Sequence, residues 1–222
     1  MNILAFDTCF DACSAAVRTG AAPADQKVFH RFEPMQTRHA ERLVPMISEL
    51  LSQARIAMAD IELIAVTTGP GTFTGTRICV AAARAFALAH EIVLVPLSSL
   101  ALIARQAACA APQARDLCVA VDARHNEVYI QIFDREGLAA RGSPQIMALD
   151  EARALVERSG AMVIGSGASL LDPALLAPLA QPDARYALDI VSRNHQPTRA
   201  IAPLYLRSPD AKPLFANMLQ RQ

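Results

Sequence analysis

Two short apolar runs, each stopped by an aspartate and followed by a polar turn and a second strand-like run, constrain this chain more than any other feature. Asn2–Phe6 ends at Asp7 and is followed by Ser14–Val17; Leu117–Val121 ends at Asp122 and is followed by the alternating Glu127–Phe133. Runs of this length read as strands, and the polar break between them as a hairpin turn. The two aspartates stand 115 positions apart in a chain of 222 residues, about half its length. A duplicated unit, a hairpin followed by helices, is the economical interpretation, with each copy the size of a small lobe. Chance recurrence of strand–Asp–turn is the alternative.

Between and after these runs, strands and helices alternate, which gives the α/β class. Lys27–Phe32 reads as a third strand. From Arg38 the apolar period changes: Leu43, Ile47, Leu50, Leu51 and Ala54 share one helical face over 38–54, with Pro45 predicting a late start or a kink. Leu63–Thr67 is a strand, Thr76–His90 an alanine-rich helix, Ile92–Val95 a strand, and Ser98 or Ser99 caps a helix to about Cys109. Ala110–Gln113 reads as a linker. The second half is thinner, with a helix over Asp150–Arg158, a strand at Met162–Ile164 and the turn Gly165–Gly167. We therefore expect a first lobe of residues 1–98, joined by the C-terminal stretch 203–222, and a second, smaller lobe of 99–202.

Composition narrows the function classes. Apolar residues make up 53% and charged residues 19%, enough for a sizeable core and against global disorder. Lys and Arg number 21, as do Asp and Glu, so binding nucleic acid through bulk positive charge is disfavoured. The opening MNILAFDTCF has no basic segment before an apolar one, and the longest uncharged apolar run, Ile92–Ala104, is too short for a bilayer and contains Pro96. Five cysteines without a C-x-x-C pair fit reduced thiols. A cytoplasmic protein with no membrane partner is the expectation.

Five features bear on a possible site. The segment Gly69-Pro70-Gly71-Thr72-Phe73-Thr74-Gly75 lies between a strand and a helix, where unpaired amides suit an anion. It is neither a Walker A loop nor G-x-G-x-x-G, and its glycines equally suit a tight turn with close helix–strand approach. Gly71, Thr72 and Gly75 are the candidate anion contacts. Asp7 and Asp122, if the lobes face each other about a pseudo-two-fold axis, could hold a Mg²⁺–nucleotide; alternatively each caps its own turn. Histidines 30, 39, 90, 125 and 195 include no i, i+4 pair, so a helical metal site is disfavoured, and His39 beside Glu41 reads as a surface contact. Cys9 and Cys13 are weak nucleophile candidates and read as small buried residues. The alanine face of the 76–90 helix permits close packing, inside the fold or against another subunit. Two apolar helices in one small lobe leave surplus apolar surface, which favours an oligomer.

The segments ILAFDTCFDACSAAV, RHAERLVPMI, IELIAVTTGPGTFTGTRICVAAARAFAL, VAVDARHNEVYIQIFD and PLYLR, in that order along nearly the whole chain, resemble the bacterial TsaB family. GPGTFTGTR is the most specific of them. The resemblance implies a duplicated, actin-like and sugar-kinase-like fold, and a role in making N6-threonylcarbamoyladenosine beside the anticodon of tRNA. It implies pairing with TsaD through first-lobe helices, homodimers through the same surface in isolation, and the small ATPase TsaE as a further component. On this resemblance ATP or ADP lies near the junction of the complex, no cofactor is assigned to this chain itself, and tRNA is reached only through the complex. The 38–54 and 76–90 helices are then the contact face, with Leu43, Ile47, Arg77, Val80 and Arg84 as candidate contacts.

More distantly the same segments resemble TsaD, the catalytic paralogue, in which a His-x-x-x-His pair binds the metal. Ser99 and Ile103 stand at those positions here; a hydroxyl is a poor ligand and a hydrocarbon is none. The preferred expectation is a non-catalytic scaffold. The rivals are a small ATPase or sugar-kinase-like phosphotransferase using Asp7, Asp122 and the glycine loop, and a glycoprotease, which needs a metal or nucleophile not evident in the sequence.

Overall fold

The structure, a computed structural model, describes residues 1–110, 115–136, 138–175, 181–193 and 196–207. Most of the expected linker, His195 and the C-terminal stretch beyond 207 lie outside the described residues.

Among the described residues nine strands form two sheets. The first contains β1 (Ile3–Asp7), β2 (Ala12–Thr19), β3 (Lys27–Pro34), β4 (Leu63–Thr67) and β5 (Val93–Leu97), in the order β3-β2-β1-β4-β5. The second contains β6 (Leu117–Asp122), β7 (Glu127–Phe133), β8 (Ala140–Ala148) and β9 (Met162–Ile164), in the order β8-β7-β6-β9. The topologies match strand for strand. β1 is antiparallel to β2 and parallel to β4, and β6 is likewise antiparallel to β7 and parallel to β9. Helix α1 (His39–Ala54) precedes β4 and α2 (Phe73–His90) follows it; α4 (Leu149–Ser159) precedes β9 and the short α5 (Ala168–Leu171) follows it. The duplication read from Asp7 and Asp122 is present as two sheets of the same design, the second with four strands among the described residues.

Each strand's period of two sorts its residues between layers. Leu4 and Phe6 of β1 enter a core with Leu43, Met46, Ile47 and Leu50 of α1 and Cys79, Val80 and Ala83 of α2. Ile3 and Ala5 face the other way, against Leu102 of α3 (Ser99–Ala110) and Ala187, Leu188 and Val191 of α6 (Arg185–Arg193). Because both faces are covered, β1 and β4 are apolar up to their last residues, Asp7 and Thr67. The far side of α3 presents Leu100, Ile103, Ala104 and Ala107 to Leu117, Val119 and Val121 of β6, while Cys118 and Ala120 face α4 and α5. Helix α3 therefore lies between the sheets and is buried on both sides.

Several expectations are adjusted. α1 runs through Pro45 without a late start, and ends where Arg55 turns left-handed (φ 56) and its N–H bonds back to Leu51 and Ser52. α2 begins at Phe73, three residues earlier than expected, because Thr72 caps it. The edge strand β8 and helix α6 were not anticipated. The chain also rejoins the first sheet well before residue 203: α6 packs on β1 and β2, Thr198 pairs with Leu94, and Ile201 enters the first core.

Candidate functional site

β1 and β4 run parallel in register, Phe6 beside Val66, so their next residues, Asp7 and Thr67, end side by side. The Thr67 hydroxyl donates to one Asp7 carboxylate oxygen, and the Cys9 backbone N–H donates to the other at 3.2 Å. Asp7 is fully buried. Burial pushes its carboxyl up to about 6, against the lowering effect of the Thr67 and Cys9 hydrogen bonds. Around the same hydroxyl stand the thiols of Cys9 and Cys79, each 3.4 Å from Thr67 Oγ1. Cys9 and Cys13 are both fully buried, as small core residues; burial holds the Cys13 thiol up at about 12.

The glycine loop closes over this junction. The Thr72 N–H donates to the Cys9 carbonyl at 2.7 Å, and the Thr8 hydroxyl donates to the Gly75 carbonyl at 2.7 Å. Thr72 Oγ1 caps α2 by accepting from the Gly75 N–H at 3.1 Å. A Cβ on Gly71 would collide with the Cys9 carbonyl, and one on Gly75 with that of Thr8. The glycines thus let helix and turn touch, and the Thr72 and Gly75 amides, two of the candidate anion donors, are engaged by the chain itself.

Asp122 ends β6 as Asp7 ends β1, but it is exposed: it accepts the Arg124 N–H at 2.7 Å, and its own N–H donates to Ser166 Oγ at 3.1 Å. The two aspartates share the turn-capping bond to the residue two positions on, and differ in everything else. One is sealed beneath a loop and the other faces water, so they do not form a matched carboxylate pair.

The candidate partner contacts divide sharply. Leu43, Ile47 and Val80 are each at most 2% exposed and belong to the first core, so they are corrected from contact residues to core residues. Arg77 and Arg84 are on the surface but engaged within the chain: Arg84 donates to the Ile201 carbonyl, and Arg77 donates to the Tyr205 hydroxyl at 3.1 Å while lying over the Phe73 ring. The most exposed large apolar residues of these helices are Val44 of α1, 52% exposed, and Leu88 of α2, 87% exposed, with Ala81 and Ala85 also open on α2. Sequence reading missed Leu88 because the many alanines of α2 blur the period that would separate its inner from its outer face.

Ser99 and Ile103 are fully buried; Ser99 donates to the Pro70 carbonyl, and Ile103 packs between α3 and the second sheet. His39 is buried rather than a surface contact, its Nε2 lying 2.9 Å from the Phe10 carbonyl. Among the described residues no group of three or more His, Cys, Asp and Glu side chains is placed to hold a metal ion, and no helix is long and apolar enough to cross a membrane.

The family model described as TsaD, tRNA N6-adenosine threonylcarbamoyltransferase, matches residues 33–155, more than half of the chain. The tRNA threonylcarbamoyladenosine biosynthesis protein TsaB of Haemophilus influenzae is 28% identical over 94% of both chains. The protein of the same name from Escherichia coli is 35% identical over 61% of this chain and 56% of that one. YeaZ from Pseudomonas aeruginosa matches the structure with a TM-score of 0.78 at 26% identity, over 92% of this chain and 99% of that one. The chain belongs to the TsaB family. Another relative, protein Mb3455c of Mycobacterium bovis, is 31% identical over 96% of this chain and 95% of its own length. The TsaB-like segment GPGTFTGTR supplies the loop and the first turn of α2 that close over Asp7.

Proposed function

We propose that this chain acts in forming N6-threonylcarbamoyladenosine on tRNA, as a non-catalytic subunit that binds and activates a TsaD-type transferase. The matched topology of the two sheets supports the actin-like, duplicated fold, with residues 1–98 and the returning C-terminal segment as one lobe and the second sheet as the other. TsaE joins the complex, ATP or ADP binds near its junction, tRNA is contacted through the partner, and the chain works in the cytoplasm. Alone, it forms homodimers through the same helical face.

The observation that carries this reading is the pairing of a sealed interior with an open apolar face. Asp7, Ser99 and Ile103 are buried, whereas Leu88 and Val44 lie open on adjacent helices whose inner sides are already filled. Apolar side chains this exposed suit the centre of an interface, which for a stable pair buries on the order of 1,200–2,000 Å². Leu88→Glu and Val44→Glu test it. Each variant should keep the wild-type melting temperature, weaken TsaD binding by roughly 30-fold or more in calorimetry, and lower threonylcarbamoyl transfer to tRNA in the reconstituted system. Unchanged affinity in both would rule out this face. Transfer by the purified chain without TsaD would overturn the scaffold role itself. Val80→Glu is no substitute, because it places a carboxylate in the core and tests folding instead.

A further inference from the structure

The C-terminal segment 198–207 touches both lobes, and nothing in the proposed role uses it. It starts as a two-bond bridge on the edge of β5, Leu94 N–H to the Thr198 carbonyl at 2.9 Å and the reverse at 2.8 Å. Ile201 then plugs into the first core while Arg84 holds its carbonyl. The Leu204 N–H donates to the Thr68 carbonyl at 2.6 Å, at the entry to the glycine loop. Tyr205 stacks on Phe73 with 5.3 Å between ring centroids. Arg207 ends the path on the second lobe, donating to the Ala123 carbonyl at 3.0 Å and pairing with Glu127. Ten residues of extended chain reach about 30 Å, enough for such a crossing.

Its far anchor is an unusual turn. Arg124, His125 and Asn126, between β6 and β7, take φ values of 61°, 54° and 63° in succession. Non-glycine residues in this left-handed region are strained and persist where surrounding contacts over-determine them. Asp122 and the Leu149 N–H, which donates to Asn126, hold the turn from within the second lobe. Arg207 grips both of its flanks, Ala123 and Glu127, from outside it.

We propose that segment 198–207 is a latch: it holds the strained β6–β7 turn from the first lobe, so contacts made at α2 and the conformation of the turn are coupled. Because Phe73, Arg77 and Arg84 lie on α2, a partner seated there meets the latch at its middle.

Hydrogen exchange on the full chain tests the coupling. Arg207→Ala should speed amide exchange in 123–127 roughly tenfold. Arg84→Ala, which frees Ile201 on the first lobe, should do the same, while β1 and α1 keep wild-type protection. Exchange that rises only in 198–207 for Arg84→Ala, with 123–127 unchanged, would overturn the proposal. A second measurement is independent of the loop's mobility. Asn126→Gly removes one left-handed penalty, so releasing the turn relieves less strain and the loss of melting temperature caused by Arg207→Ala should be larger in that background; an equal loss in both backgrounds counts against the latch.

Discussion

Asp7 owes its raised affinity for a proton to what covers it. Its carboxyl is raised from 3.8 to about 6, chiefly by burial, so between those values the folded chain holds a proton that the unfolded chain has released. The stability this supplies is complete below about pH 4 and is lost as pH rises through about 6, on the order of 3 kcal/mol in all. Melting curves of wild type and Asp7→Asn between pH 4 and 7 should therefore converge or cross as pH rises, the wild type losing stability that the variant keeps. Parallel curves would show that Asp7 is not sealed. Its position at a strand end was legible in the sequence, and so were both readings of it. What was not legible is the difference from Asp122. In the first copy the glycine loop lands on Thr8 and Cys9, beyond the aspartate; in the second, Gly165 and Gly167 land on Ala120, short of it. Three to four residues of register separate a sealed acid from an exposed one, and no local pattern encodes that offset.

Helices and strands were legible in proportion to how strongly burial patterned them. β4, β7 and β9 coincide with the apolar runs that announced them, because each is covered by other elements. β8 is an edge strand, mostly exposed, with Gly142 and Pro144 inside it, so neither alternation nor propensity marked it. α6 carried a readable signal that was overlooked: Asp183 accepts the Arg185 N–H at 2.9 Å, and Ala187, Leu188 and Val191 recur at helical spacing. α3 supplies residues to two cores, Leu102 on one side and Leu100, Ile103, Ala104 and Ala107 on the other. Ile103→Ala should lower stability by about 2–5 kcal/mol, as large-to-small changes in closed cores do; denaturant titration reads this directly, and a cost below about 1 kcal/mol would mean that the space between the sheets is loosely filled.

At the scale of the whole molecule the family assignment was within reach of the sequence, because GPGTFTGTR and the repeated strand–Asp units survive as short contiguous words. The outward face was not, because exposure is a property of the assembled layers: Val80 and Leu88 lie on one helix, and only the sheet beneath decides which is hidden. The same layering governs how the chain comes apart. With one helix wedged between two sheets, neither half owns a finished interior, and heating should find no stage at which one half has melted and the other stands. Calorimetry should show one transition, with measured and van't Hoff enthalpies in a ratio near one. For a subunit proposed to spend its life gripping another protein, that indivisibility means a load taken up at one end is borne by the entire body.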